Sequence, residues 1–138
     1  SSDLSNLHGS CMCGEIQFET TSAPVFAANC HCKDCRQATG AAYATINFVA
    51  RPSITIKGTA KTFQHPADSG SVLTKHFCGN CGSTLFTSNS ARENMLGIMA
   101  GVVSNIEDVK PQFNVFVSSK IPSTPLDESI PAHQKMPG

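Results

Sequence analysis

Seven cysteines give this chain its clearest chemical signature, because they stand in three groups at the spacings of metal ligands. The groups are C-M-C, C-H-C-K-D-C and C-G-N-C. Residues i and i+2 of an extended segment share a face, and a C-x-x-C turn also brings two thiols together. Thiolates favour zinc, and less often copper(I) or an iron–sulfur cluster. We expect all seven cysteines to be zinc ligands: Cys11, Cys13, Cys30, Cys32, Cys35, Cys78 and Cys81.

Other interpretations of the cysteines are open at this point. A disulfide framework usually has an even number of cysteines at dispersed positions, which this chain lacks. Cys32 and Cys35 could form a redox-active dithiol, but the usual βαβ context is missing and Cys30 lies just outside at ligand spacing. Inert buried cysteines are the remaining alternative, although scattered core cysteines do not cluster at such spacings.

The number of cysteines suggests how the ligands divide. A structural zinc site is closed by four protein ligands, whereas a catalytic site has three and an open position. The simplest division gives a three-cysteine site from the central group and a four-cysteine site from the two outer pairs. An exchanged assignment, in which Cys78 and Cys81 join the central group, has compatible spacing. The simplest division predicts two zinc ions per chain and makes Cys30, Cys32 and Cys35 the catalytic ligands.

The segments that must position these ligands have the character of short β-strands. They are rich in β-branched and aromatic residues and are separated by Gly, Ser, Pro and Asp. A short helix is expected over Asp34–Thr39, with Gly40 as its C-cap. Another helical turn is possible at Ser104–Glu107, and Met95–Ala100 could be a strand or a short buried helix. The predicted strands are Glu15–Thr20, Val25–Asn29, Ala42–Val49, Ser53–Lys57, Lys61–Gln64, Val72–Phe77, Thr84–Thr87 and Phe113–Val117.

Length and composition indicate one small, mainly β domain. The chain has 138 residues, 40% hydrophobic residues and a mean hydropathy of −0.09. We expect a flexible N-terminal tail over residues 1–8, a zinc domain over residues 9–119 and a proline-rich extended tail over residues 120–138.

Charge excludes several classes of partner. Ten basic and ten acidic residues leave zero net charge, and only 14% of residues are charged, against about 25% in an ordinary domain. Such a chain has neither the basic surface of a nucleic-acid binder nor a polybasic membrane anchor.

It has no apolar run of membrane-spanning length and no secretory signal, so we expect a cytoplasmic protein.

Three ordered motifs resemble those of one family. The segments H-G-S-C-M-C-G-E-I-Q-F-E, C-H-C-K-D-C-R-Q-A-T-G-A-A-Y and H-F-C-G-N-C-G-S-T-L-F are similar to the glutathione-dependent formaldehyde-activating enzymes, also called the centromere protein V/Gfa family. The resemblance runs from Gly9 to about Ser119 and implies a β-tent fold of stacked antiparallel sheets. It also implies the same division of ligands, with a structural zinc held by four cysteines and a catalytic zinc held by three.

The resemblance implies a carbon–sulfur lyase that joins formaldehyde and glutathione to give S-hydroxymethylglutathione. Zinc with three thiolates has a formal charge of −1 and is a weaker, softer Lewis acid than zinc with three histidines, so its open position favours a thiol. We therefore expect a glutathione-like thiol and a small aldehyde as substrates. The alternatives are a zinc-binding interaction module without turnover, and a zinc hydrolase that acts on a different electrophile.

Polar residues near the cysteines are candidates for supporting roles. His31 alternates with Cys30 and Cys32 and is expected to be structural. His76 could be an alternative ligand but is more typical of a half-buried strand histidine, and Tyr43 could donate a proton in a pocket. Three cations could offset the charge of the site or hold a carboxylate of the thiol, although each is also typical of a solvated surface: Lys33, Arg36 and Lys75.

The C-terminal part departs from the family pattern. Ser123 and Thr124 stand where the family usually has a Trp, and Ala132, His133 and Gln134 stand where an aromatic residue is common. If this segment lines the entrance of the substrate pocket, we expect a substrate that differs from the formaldehyde and glutathione of the family's named activity.

Overall fold

The computed structural model describes residues 5–136, and most of the regular secondary structure in this range is β-strand. Residues 1–4 of the expected N-terminal tail and residues 137–138 of the expected C-terminal tail lie outside this range. Within the described range there are ten strands and one α-helix, α1 (Lys33–Thr39). The strands are β1 (His8–Ser10), β2 (Gln17–Thr20), β3 (Phe26–Cys30), β4 (Ala44–Ala50), β5 (Ile54–Lys57), β6 (Lys61–Pro66), β7 (Val72–Phe77), β8 (Thr84–Asn89), β9 (Met95–Met99) and β10 (Phe113–Val115).

The strands form two sheets, as expected for a mainly β fold of small stacked sheets. The smaller sheet has the order β1-β2-β5 and the larger one the order β10-β3-β4-β9-β8-β7-β6. Neighbouring strands are antiparallel, except for the parallel pair β10 and β3. Short connections join the antiparallel neighbours β1 and β2, β6 and β7, β7 and β8, and β8 and β9. The pairs β2 with β5, β4 with β9 and β10 with β3 join strands that are distant in the chain.

The predicted strands are present, with shifts of a few residues at their ends. The ambiguous segment Met95–Ala100 is strand β9. The last predicted strand is shorter than expected, because Phe116 has a positive φ of 56° and a 3-10 turn follows at Val117–Ser119. A 3-10 turn also forms at Ile106–Asp108, close to the expected helical turn. Sequence reasoning missed β1, which has only three residues.

The helix begins at a cysteine and ends at a glycine. Cys32 is its N-cap, and the Sγ of Cys32 accepts a hydrogen bond from the Cys35 amide. The helix therefore starts at Lys33, one residue earlier than predicted. Gly40 has a φ of 73° and its amide bonds to the Arg36 carbonyl, which confirms the predicted C-cap.

The larger sheet has an apolar core on each face. Phe18 of the smaller sheet packs edge to face on Phe86 of the larger one, with ring centroids 5.6 Å apart, and this core also holds Cys11 and Cys78. The opposite core contains Ile46, Met99 and two of the central cysteines. Each core thus contains two buried cysteines of one group, whereas Cys13 is exposed.

Both ends of the described chain are attached to the sheets. The Leu7 side chain is 1% exposed, and its amide donates to the Thr20 hydroxyl. Near the other end, the Asn114 amide donates to the Pro131 carbonyl, and the Asn114 carbonyl accepts from the His133 amide. The C-terminal segment is therefore extended along β10. The division of the chain at residues 8 and 119 stays a prediction. No helix among the described residues is long and apolar enough to cross a bilayer.

Candidate metal centres

Two turns that are distant in sequence bring together the first group of thiols. One turn, between β1 and β2, carries Cys11 and Cys13, and the other, between β7 and β8, carries Cys78 and Cys81. The Sγ of Cys13 lies 3.6 Å from that of Cys11 and 3.7 Å from that of Cys78. All four sulfur atoms lie within 4.8 Å of one another. The structure therefore shows the outer pairs together rather than the exchanged assignment.

Hydrogen bonds from the two turns hold these sulfurs in place. The amides of Ile16 and Cys81 donate to the sulfurs of Cys11 and Cys78 at 3.3 Å and 3.5 Å. The Ser83 hydroxyl lies 3.3 Å from the Cys81 sulfur and lowers the pKa of that thiol to about 5. Donors around a thiolate stabilise its charge, so this cluster is prepared to bind a soft cation. Four convergent thiols fit a closed, tetrahedral site.

The central cysteines form a second group at the junction of β3 and α1. Cys30 ends the strand, Cys32 caps the helix and Cys35 lies in its first turn. The sulfurs of Cys30 and Cys32 are 3.3 Å apart, and all three lie within 4.8 Å of one another. Within residues 5–136, no further Cys, His, Asp or Glu ligand atom belongs to this group. Three thiols can hold a metal ion and leave a coordination position open.

Electrostatics in the central group favours a bound cation. Hydrogen bonds from the Cys30 and Cys35 thiols lower the pKa of Cys32 well below its usual value. The same contacts, together with burial, raise the pKa of Cys35, and the contact with Cys32 raises the pKa of Cys30 to about 12. One thiolate thus opposes ionisation of its neighbours, so all three cysteines can be thiolates only with a positive charge among them. A divalent ion supplies that charge.

The other candidate residues lie beside these clusters rather than in them. His31 is fully buried beside Tyr43, with ring centroids 4.7 Å apart and ring planes inclined by 30°. Its ring nitrogens have no hydrogen-bond partner within residues 5–136. Burial also lowers the pKa of His31. Tyr43 is 37% exposed. The Nε2 of His76 lies 3.2 Å from the Ser88 hydroxyl, so His76 is a half-buried strand histidine and not a cluster member.

The three candidate cations differ in their surroundings. Lys33 is exposed on α1 and Arg36 is half-buried on the same helix. Lys75 is only 9% exposed, and its Nζ donates to the Thr87 hydroxyl at 3.2 Å. Burial of an ammonium group is unfavourable without polar partners. Lys75 is therefore the cation whose position calls for a functional explanation.

Cross-strand register places Lys75 on the face of the sheet that holds the central cysteines. Lys75 pairs with Thr87, Thr87 with Gly97, and Gly97 with Phe48. Directly paired residues share a face, and Phe48 packs in the core around Cys30 and Cys35. The sequence indicated Lys75 as a candidate cation for the site. The alternation of side chains along one strand could not show which of the two cores lies against the face that carries Lys75.

The fold and the site define a small two-sheet protein with two thiol clusters, each able to hold a metal ion. A family model described as glutathione-dependent formaldehyde-activating enzyme matches residues 6–119. The chain belongs to this family.

Individual relatives are distant. An uncharacterized lyase of Schizosaccharomyces pombe is 24% identical over 112 residues, which are 81% of this chain and 79% of that protein. A Halomonas elongata protein, provisionally named a glutathione-dependent formaldehyde-activating enzyme, is 29% identical over 85 residues, or 58% of this chain and 54% of the relative. A crystal structure of a Rhodobacter sphaeroides protein aligns with a TM-score of 0.56 at 15% identity, over 91% of this chain and 98% of that one. This last likeness shows a common fold.

Proposed function

We propose that this protein is a zinc-dependent carbon–sulfur lyase that adds a glutathione-type thiol reversibly to formaldehyde or another small aldehyde. Family membership supports the reaction class. The observation that carries the proposal is the pair of unequal clusters, because a scaffold needs only closed sites and the central group has three thiols rather than four.

In this proposal the two clusters have separate roles. Cys11, Cys13, Cys78 and Cys81 hold a structural zinc ion, and the central three cysteines hold a catalytic one. Zinc bound by three thiolates would supply an open position that favours a thiol and lowers its pKa. A cluster of reduced thiols requires a reducing compartment, so we place the reaction in the cytoplasm.

The chain itself fixes the geometry of the reaction site. Cys30 is held by strand pairing, and Cys35 by α1, whose N-cap is Cys32. In the addition, the thiol gives up its proton, a carbon–sulfur bond forms and the aldehyde oxygen takes a proton to become a hydroxyl group. The reverse reaction breaks the same bond and needs no further reactant.

Zinc analysis and turnover test this proposal together. Protein purified under reducing conditions without a chelator should contain about two zinc ions per chain. It should accelerate the exchange of labelled formaldehyde with glutathione, followed by NMR above the uncatalysed rate. Cys32→Ser should contain about one zinc ion, remain folded and lose the acceleration.

Two results would contradict the proposal. Full activity in folded Cys32→Ser would remove the central group from catalysis. Two zinc ions per chain without turnover of any thiol and aldehyde pair would favour the interaction module, and turnover without a thiol would favour the hydrolase.

A further inference from the structure

A cavity of about 430 Å³ lies against α1, whose N-cap is Cys32 and whose first turn contains Cys35. One wall is the exposed side of α1, and the other is formed by β6, β7 and β8. The Thr84 hydroxyl donates to the Ala38 carbonyl at 3.1 Å and joins the two walls. A volume above about 300 Å³ is sufficient for a small-molecule ligand. A second groove, of about 540 Å³, lies on β1, β2 and β5 of the smaller sheet and does not touch α1.

One wall of this cavity carries a buried positive charge. Lys75 lines the cavity and is 9% exposed. Its Nζ has one hydrogen bond, to the Thr87 hydroxyl, and across residues 5–136 no carboxylate lies within ion-pair distance of it. An ammonium group can donate three hydrogen bonds, so two donors remain for a ligand. Buried lysine is rare unless an anion pairs with it.

The opposite wall carries a negative charge. Asp34 lies in the first turn of α1 and lines the same cavity. Asp34 and Lys75 are oppositely charged, yet they form no ion pair in the described part of the chain. The one other titratable lining residue is His65, whose Nδ1 lies 3.3 Å from the Pro66 carbonyl. The cavity therefore presents separated positive and negative groups to its contents.

Aromatic side chains complete the wall beside Lys75. Phe63 and Phe77 line the cavity, and Phe63 is 62% exposed although it is a large apolar residue. Phe63 pairs directly with Lys75 across β6 and β7. An apolar wall with a few placed charges is typical of a small-molecule site.

We propose that this cavity binds the zwitterionic portion of the thiol substrate, with a carboxylate on Lys75 and the ammonium group on Asp34. The inference rests on the proposed function and names the residues that would select its substrate, a thiol that carries an α-amino acid group as glutathione does. Lys75 and Asp34 are then specificity-determining residues. Because neither side chain belongs to the thiol cluster, their contribution can be measured without turnover.

The test is binding of S-methylglutathione to the zinc-loaded protein by titration calorimetry. Its blocked sulfur removes the reactive thiol and leaves the charged groups. The wild-type protein should bind it at least about tenfold more tightly than its diethyl ester, which lacks carboxylates, or its N-acetyl derivative, which lacks the ammonium group.

Variants assign each charge to its partner. Lys75→Met should weaken S-methylglutathione and the N-acetyl derivative by about tenfold or more and leave the ester unchanged. Asp34→Asn should weaken S-methylglutathione and the ester and leave the N-acetyl derivative unchanged. Lys75→Arg keeps the positive charge and should retain the preference for carboxylates. Loss of that preference in folded Lys75→Arg would contradict the assignment even if the Met variant unfolds. The exposed residues Lys57 and Asp68 give the matched controls Lys57→Met and Asp68→Asn, which should bind like the wild type.

Two outcomes would overturn the inference. One is failure of the wild type to discriminate among the three compounds. The other is equal weakening of all three by Lys75→Met, which would mean that Lys75 only offsets the thiolate charge or supports the fold. Selective binding without formaldehyde exchange would refute the proposed reaction and support the binding site. Formaldehyde exchange without selective binding would support the reaction and refute the binding site.

Discussion

The Ser83 hydroxyl accepts a hydrogen bond from the Met12 amide at 3.0 Å and so joins two turns that lie 71 residues apart. The same hydroxyl lies 3.3 Å from the Cys81 sulfur. Ser83 thus connects both halves of the four-thiol cluster, although it is not a ligand.

Replacing Ser83 with alanine should weaken this connection. Ser83→Ala leaves the Met12 amide without its partner, and we expect a loss of about 1–2 kcal/mol in the free energy of unfolding. The zinc-loaded variant should also lose the zinc ion of the four-thiol cluster to a chelator faster than the wild type does. Urea unfolding and a colorimetric zinc assay measure the two effects. Ser69→Ala is a suitable control, because Ser69 is exposed and, within residues 5–136, its hydroxyl meets only the Ser71 hydroxyl. Equal effects in both variants would exclude the proposed connection.

The two clusters should differ in their importance for folding. Cys78 is 1% exposed in the core between the sheets, whereas Cys32 is half-buried at the start of α1. Cys78→Ser should lose most of its folded population, because the four-thiol site links distant turns and metal binding there contributes to folding. Cys32→Ser should retain its circular dichroism spectrum and thermal transition. Similar stability in the two variants would argue against a structural role for the first cluster.

Gly82 has a backbone conformation that other residues adopt at a cost. Its φ is 78° and an added Cβ would meet no atom within 4 Å, so strain is the main effect of substitution. Gly82→Ala should lower the free energy of unfolding by about 1–2 kcal/mol. Gly101 also has open space around it but no positive φ, which makes Gly101→Ala the matched control. Thermal unfolding of both zinc-loaded variants checks the difference, and equal midpoints would contradict it.

Lys120 holds the segment that follows it. Its Nζ donates to the carbonyls of Ile121, Pro122 and Thr124 at 3.1, 3.0 and 2.8 Å. Lys120→Met removes these bonds, and we expect faster hydrogen exchange over residues 121–134 and a loss of about 1–2 kcal/mol in stability. Exchange measured by mass spectrometry, with Lys57→Met as control, tests this expectation. Unchanged exchange would show that contacts with β10 hold the segment by themselves.

Local features of the fold follow directly from the sequence. Alternating β-branched residues predicted the strands, and Gly40 predicted the end of α1, because these signals depend on neighbours within a few residues. Strand β1 was missed, since three residues are too few for a period. The early end of β10 depends on the positive φ of Phe116, which no local signal indicated.

The sequence by itself determined that thiol groups stand at the spacing of metal ligands, because the geometry of each C-x-C or C-x-x-C pair is set by a few bonds of backbone. Only the tertiary structure decided which pairs meet. Cys11 and Cys13 reach Cys78 and Cys81 because both turns lie over the core between the sheets. The same holds for the cavity. Lys75 and Asp34 line it together because sheet register and helix packing bring distant segments together, and such long-range pairing leaves no pattern in a single sequence.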